Sequence, residues 1–119
     1  MAKIMVVEDE ERYMAQIAEI AERAGHSVVK CYYGGSAADV YDREVPDMVV
    51  TDFSCGITTG VDVTRQIRER GSEVPVYIQS MRSIPGGLVA RSGANGFILK
   101  GNLDAELPPV IRKHFGGRE

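Results

Sequence analysis

Five short apolar runs punctuate the chain: KIMVVE (3–8), SVVKCY (27–32), DMVVTD (47–52), VPVYIQS (74–80) and GFILK (96–100). Most are nearly continuous in Val, Ile, Leu and Met, with little alternation of polar and apolar positions. That pattern predicts parallel strands covered on both faces. Between them the period changes to that of a helix. In EERYMAQIAEIAERAG, Tyr13 or Met14, Ile17, Ile20 or Ala21 and Ala24 share a face, with Gly25 where a helix stops. SAADVYDREV has Ser36 as its cap. VDVTRQIRERG sets Val61, Val63 or Thr64, and Ile67 on one side, closed by Gly71. The last stretch, Leu103 to Phe115, repeats Leu107, Val110, Ile111 and Phe115 at helical spacing. Alternating strands and helices with short connections predict an open α/β sheet.

Two places strain the pattern. SIPGGLVARSG should hold the fourth helix, but Pro85-Gly86-Gly87 leaves room for a short one. Pro108-Pro109 interrupts the fifth, which is expected to start near Leu107 or to bend there.

In a doubly wound sheet, ligands bind outside the C-terminal ends of the strands. Those ends are polar here: Glu8-Asp9 after the first run, Asp52 after the third, Ser80 after the fourth and Lys100 after the fifth. Three carboxylates in one crevice repel each other and call for a cation. An all-oxygen set suits a hard ion, Mg²⁺ best, because it takes one or two carboxylates and is completed by water and a phosphoryl group. Lys100 adds a positive point charge for an anion landing beside Asp52. A metal, a lysine and a nucleophilic carboxylate are the parts that phosphoryl transfer requires.

With those residues in place, the chain resembles a response-regulator receiver domain, the CheY-like phospho-acceptor of two-component signalling, over residues 3 to about 115. The resemblance is carried by VVEDE, PDMVVTD followed eight residues later by Gly60, VPVYIQS and GANGFILK. It implies a flavodoxin-like, doubly wound five-stranded parallel sheet of order 2-1-3-4-5, with a shortened helix 4 and a Pro-interrupted helix 5. It also implies roles. Asp52 accepts a phosphoryl group from a sensor histidine kinase or phosphotransfer protein. Asp9, Asp52 and the Ser54 carbonyl ligate Mg²⁺, and Glu8 acts through water. Ser80 and Lys100 hold the phosphoryl oxygens, and the Phe97 rotamer reports the switch. The output is a downstream protein or a fused output domain.

The sequence departs from the family at the rims of the site. Cys55-Gly56 stand where Met-Pro is usual, Gly101 follows the lysine in place of Pro, Met81 follows Ser80 in place of a small residue, and Glu8 replaces Asp. Gly56 and Gly101 are expected to make their loops looser, at an entropic cost of roughly 0.5–1 kcal/mol each if they must be ordered. Met81 is expected to restrict access of water to the phosphoryl group.

Composition narrows the alternatives. The 119 residues fit a single domain over 1–119, with 44% apolar and 26% charged residues typical of a globular protein. A net charge of −3 and no basic run give no reason to expect nucleic acid, and no segment reads as membrane-bound. Two cysteines, Cys31 and Cys55, and no signal-peptide pattern suggest a reducing cytoplasm. Cys55 reads as an incidental thiol, and His26 and His114 as structural. The competing functions are a pseudo-receiver, a constitutive interaction module, and a small phosphatase-like enzyme. The latter lacks an Asp-x-Asp, a P-loop and room for a cap.

Overall fold

The computed structural model describes residues 1–116, so the last three positions of the end that reads as frayed, GGRE, lie outside the described residues. Strands β1 (Lys3–Val7), β2 (Ser27–Cys31) and β3 (Met48–Asp52) are followed by two short strands, β4 (Ser54–Cys55) and β5 (Thr58–Thr59). Then come β6 (Val76–Ser80) and β7 (Gly96–Leu99). The five long strands form one parallel sheet of order β2-β1-β3-β6-β7. This is the expected 2-1-3-4-5 order; the numbering shifts because β4 and β5 make a separate antiparallel hairpin after β3.

The helices are α1 (Glu11–Arg23), α2 (Ala37–Glu44), α3 (Gly60–Glu69), α4 (Gly86–Ser92) and α5 (Leu103–Phe115). Successive residues of a strand face opposite sides of a sheet, and β1 shows the result. Ile4 and Val6 join Met14, Ile17, Leu107 and Ile111 under α1 and α5. Met5 and Val7 join Tyr41, Val63 and Ile67 under α2 and α3. Each large aliphatic group taken out of water in these layers contributes about 1.5–3 kcal/mol. The helical stops fall where the glycines predicted them: Gly25 and Gly71 follow α1 and α3 with φ of +94° and +77°.

Two expectations change in detail. Ser36 stands at the start of α2 but makes no side-chain cap bond; it closes a 3₁₀ turn, Gly34–Ser36, that leads into the helix. α5 starts at Leu103 and not near Leu107, running through both prolines. The prolines interrupt its hydrogen-bond ladder, since neither has an amide proton. What keeps the helix whole is packing: Leu103, Leu107 and Ile111 are all completely buried.

Candidate functional site

Parallel pairing carries four chemical groups to one edge of the sheet. β1 pairs β3 with Val7 opposite Thr51, β3 pairs β6 with Asp52 opposite Gln79, and β6 pairs β7 with Ser80 opposite Leu99. The next residues, Glu8 and Lys100, therefore stand beside Asp52. Glu8 is anchored by its amide to the Cys31 carbonyl at 3.0 Å, and Phe53 by its amide to the Gln79 carbonyl at 2.7 Å.

The centre of the site is a buried ion cluster. Lys100 Nζ lies 3.0 Å from Glu8 Oε1 and 3.3 Å from Asp52 Oδ2. All three side chains are nearly inaccessible, whereas Asp9 at the rim is exposed. Burial pushes the carboxyls of Glu8 and Asp52 above their ordinary range, and their mutual repulsion adds to this for Glu8. Burial alone would lower Lys100, but its hydrogen bond to Glu8 and the charge of Asp52 outweigh it, so the ammonium is held above its usual value. A buried charge survives only with partners of this kind.

Ligand oxygens of Glu8, Asp9 and Asp52 all lie within 4.8 Å of one another. Three carboxylates facing one ammonium leave an excess of negative charge, and with no His or Cys among them the donor set fits a hard divalent cation. Above it opens a cleft of about 510 Å³ lined by Asp9, Asp52, Ser54, Ser80, Met81 and Lys100, among others.

The loop after Asp52 is ordered. β4 and β5 pair through Ser54–Thr59 and Cys55–Thr58, with Gly56 and Ile57 as the two turn residues. Gly56 takes φ +83°, the conformation that a turn of this kind asks of glycine at its first position. It shapes a tight hairpin, so the expected looseness there does not arise. The Ser54 backbone lies close enough to Asp52 to offset part of the upward push of burial on its carboxyl. The hairpin rests on Gly34, where a Cβ would stand 2.8 Å from the Cys55 carbonyl oxygen. Gly60 has a stricter reason to be glycine: a Cβ there would stand 2.6 Å from the Asp52 carbonyl oxygen. Cys55 is buried and its thiol is pushed up to about 11, mainly by desolvation, which leaves it unreactive.

The remaining sequence candidates fall as follows. Ser80 is half-buried and its Oγ accepts the Arg82 amide at 3.2 Å. Phe97 is half-buried on β7, opposite Ile78. Met81 is exposed (62%) at the cleft, and its Sδ accepts the Tyr13 hydroxyl at 3.0 Å. Tyr13 is a site residue that the sequence reading placed only in the core. Its ring centroid lies 4.3 Å from Lys100 Nζ, and its hydroxyl also accepts Arg12 at 2.6 Å. Gln79, whose Nε2 donates to Glu8 Oε1 at 2.9 Å, was likewise hidden inside an apolar run. The polar residue within VYIQS was the available signal.

The family profile of the response regulator receiver domain matches residues 4–112. The chain belongs to that family. Protein PilH of Pseudomonas aeruginosa is 30% identical over 104 residues, covering 84% of this chain and 86% of PilH. A LuxR-family two-component response regulator from Aurantimonas sp. SI85-9A1 is 28% identical, with a TM-score of 0.87 over 99% of this chain and 88% of that one. The BeF3-activated N-terminal receiver domain of Klebsiella pneumoniae RstA is also 28% identical, with a TM-score of 0.85 over 94% and 97%. As a receiver domain, the chain is a signalling module, with the acidic cluster at the C-terminal edge of its sheet. Among the described residues, no helix is long and apolar enough to cross a membrane.

Proposed function

We propose that this receiver domain is a phosphorylation switch whose acceptor is Asp52, loaded by a sensor histidine kinase or a phosphotransfer protein in the cytoplasm. The observation that carries the reading is the Lys100 ammonium between Glu8 and Asp52, inside a cluster whose charge excess fits one divalent cation. Asp9, Asp52 and the Ser54 carbonyl would hold Mg²⁺, with Glu8 behind them. Ser54 opens the hairpin two residues after Asp52, and its backbone is near enough to act on the Asp52 carboxyl. When bound, the metal neutralises charge developing on the transferred phosphoryl group.

The residues of the chain do the rest. Asp52, with one oxygen held by Lys100, presents its carboxylate to phosphorus, and the bond to the donor's nitrogen breaks as the new O–P bond forms. Lys100 pairs with the arriving anion. Ser80 turns its hydroxyl from the Arg82 amide to a phosphoryl oxygen, and Phe97 moves with it, passing the change to a partner protein or a fused output domain. Met81, leaning across the cleft to Tyr13, limits the approach of hydrolytic water.

The test is intact-protein mass after incubation with acetyl phosphate and Mg²⁺. One added phosphoryl group is expected on wild type and none on Asp52→Asn, with Met81→Ala losing the group faster than wild type. No adduct under any donor, phosphohistidine included, would sink the switch and leave a phosphorylation-independent interaction module.

A further inference from the structure

The chemistry proposed above gives no work to Gln79. Its side chain is wholly buried (0% exposed), opposite Asp52 on the neighbouring strand. An amide in an apolar strand is costly unless bonded, and half of this one has no partner: Oε1 is unsatisfied among the described residues. The other half has a partner. Nε2 donates to Glu8 Oε1, the same oxygen that meets Lys100 Nζ at 3.0 Å. Glu8 Oε2 accepts the Glu10 amide at 2.9 Å. Three donors from three parts of the chain thus fix both oxygens of Glu8, and Glu8 in turn anchors the ammonium beside Asp52. An apolar side chain of the same length would fill the space without an orphan carbonyl, so what the amide adds is its bond to the buried Glu8 carboxylate.

We propose that Gln79 is a positioning residue: by gripping Glu8 Oε1 it fixes Glu8 as the seat of Lys100 and so sets the acidic pocket for its cation. The inference rests on the phospho-acceptor reading of the site. Groups that orient the residues around a metal in this way typically change metal affinity by ten-fold or more when removed.

The experiment compares wild type with Gln79→Met, which keeps length and burial but removes the donor, and with Gln79→Leu, which does so with another shape. Mg²⁺ binding is read by calorimetry, phosphoryl uptake from acetyl phosphate by mass, and folding by urea unfolding. Both variants should unfold cooperatively and bind Mg²⁺ about ten-fold more weakly. With Glu8→Met already present, adding Gln79→Met should change the affinity by less than about two-fold, because the contact it breaks is gone. Wild-type affinity in both single variants, an undiminished loss in the Glu8→Met background, or loss of cooperative unfolding in both would each overturn the proposal. Should wild type itself bind no Mg²⁺ and take no phosphoryl group, the phospho-acceptor reading is what fails. The coupling of Gln79 to Glu8 in urea unfolding of the metal-free chain then decides the remaining part: additive effects overturn the grip of Gln79 on Glu8, and coupled ones uphold that grip.

Discussion

Two loops border Asp52, and they are built on opposite principles. The segment from Phe53 to Thr59 is pinned at every step. The Phe53 amide is tied to β6, the hairpin pairs with itself, and the Gly60 amide returns to the Phe53 carbonyl at 2.8 Å. It ends in a reciprocal cap, with the Thr59 hydroxyl accepting the Asp62 amide and the Asp62 carboxylate accepting the Thr59 amide. The segment from Met81 to Pro85 has little of this. Its ties are the Arg82 amide to Ser80 Oγ and the Tyr13 hydroxyl to Met81 Sδ, most of it is exposed, and it leads into a seven-residue helix with no side-chain cap. A rigid acceptor side opposite a soft responding side is what a switch needs: the first fixes where the phosphoryl group lands, and the second opens locally at low cost.

The sharpest way to break this contrast is Gly60→Ala. A methyl aimed at the Asp52 carbonyl oxygen meets backbone that cannot yield, so the variant should lose about 3 kcal/mol in urea unfolding and much of its phosphoryl uptake. Retention of wild-type stability would show that the hairpin side has slack after all. Thr59→Ala removes one half of the reciprocal cap and should cost about 1 kcal/mol. On the other side the sign reverses. Gly86 has open space around it and no positive φ, so Gly86→Ala should leave the chain equal or more stable, by about 0.5 kcal/mol, and slow the response of α4.

The smallest effect is one of pH. Asp62 is held below the usual carboxylate range, chiefly by the Thr59 amide, so its contribution is present at neutral pH. It fades as pH falls through that lowered value. The stability gap between wild type and Asp62→Asn should therefore close in acid; a gap that persists at pH 2 would show that Asp62 contributes independently of its charge.

These loops also mark how far the sequence could be read. Strand positions and their polar ends were legible because a parallel sheet buries both faces, which makes apolar runs nearly continuous and a terminal Asp or Lys conspicuous. Asp52, Lys100, Glu8 and Asp9 were found that way. The hairpin was not, because Ser54-Cys55 and Thr58-Thr59 are too short to show a period, and Gly56 reads equally as slack or as a turn. Tyr13 was seen as a core residue, since helical spacing tells which face a ring occupies and not what lies beneath its centre. Gln79 is masked by its neighbours: a single polar residue inside a strand has no pattern of its own, and only the fold brings it to its partner Glu8.

The paired prolines of α5 have a consequence in time as well as in shape. Two successive residues there carry no exchangeable amide hydrogen, so the carbonyls of Asp104 and Ala105 have no rung to close above them. The turn that follows Lys100 is therefore joined to the rest of its helix by fewer rungs and leans more on side-chain packing. In hydrogen exchange it should behave as a separate unit with a faster clock, so that the segment nearest the lysine can breathe while the body of α5 stays shut.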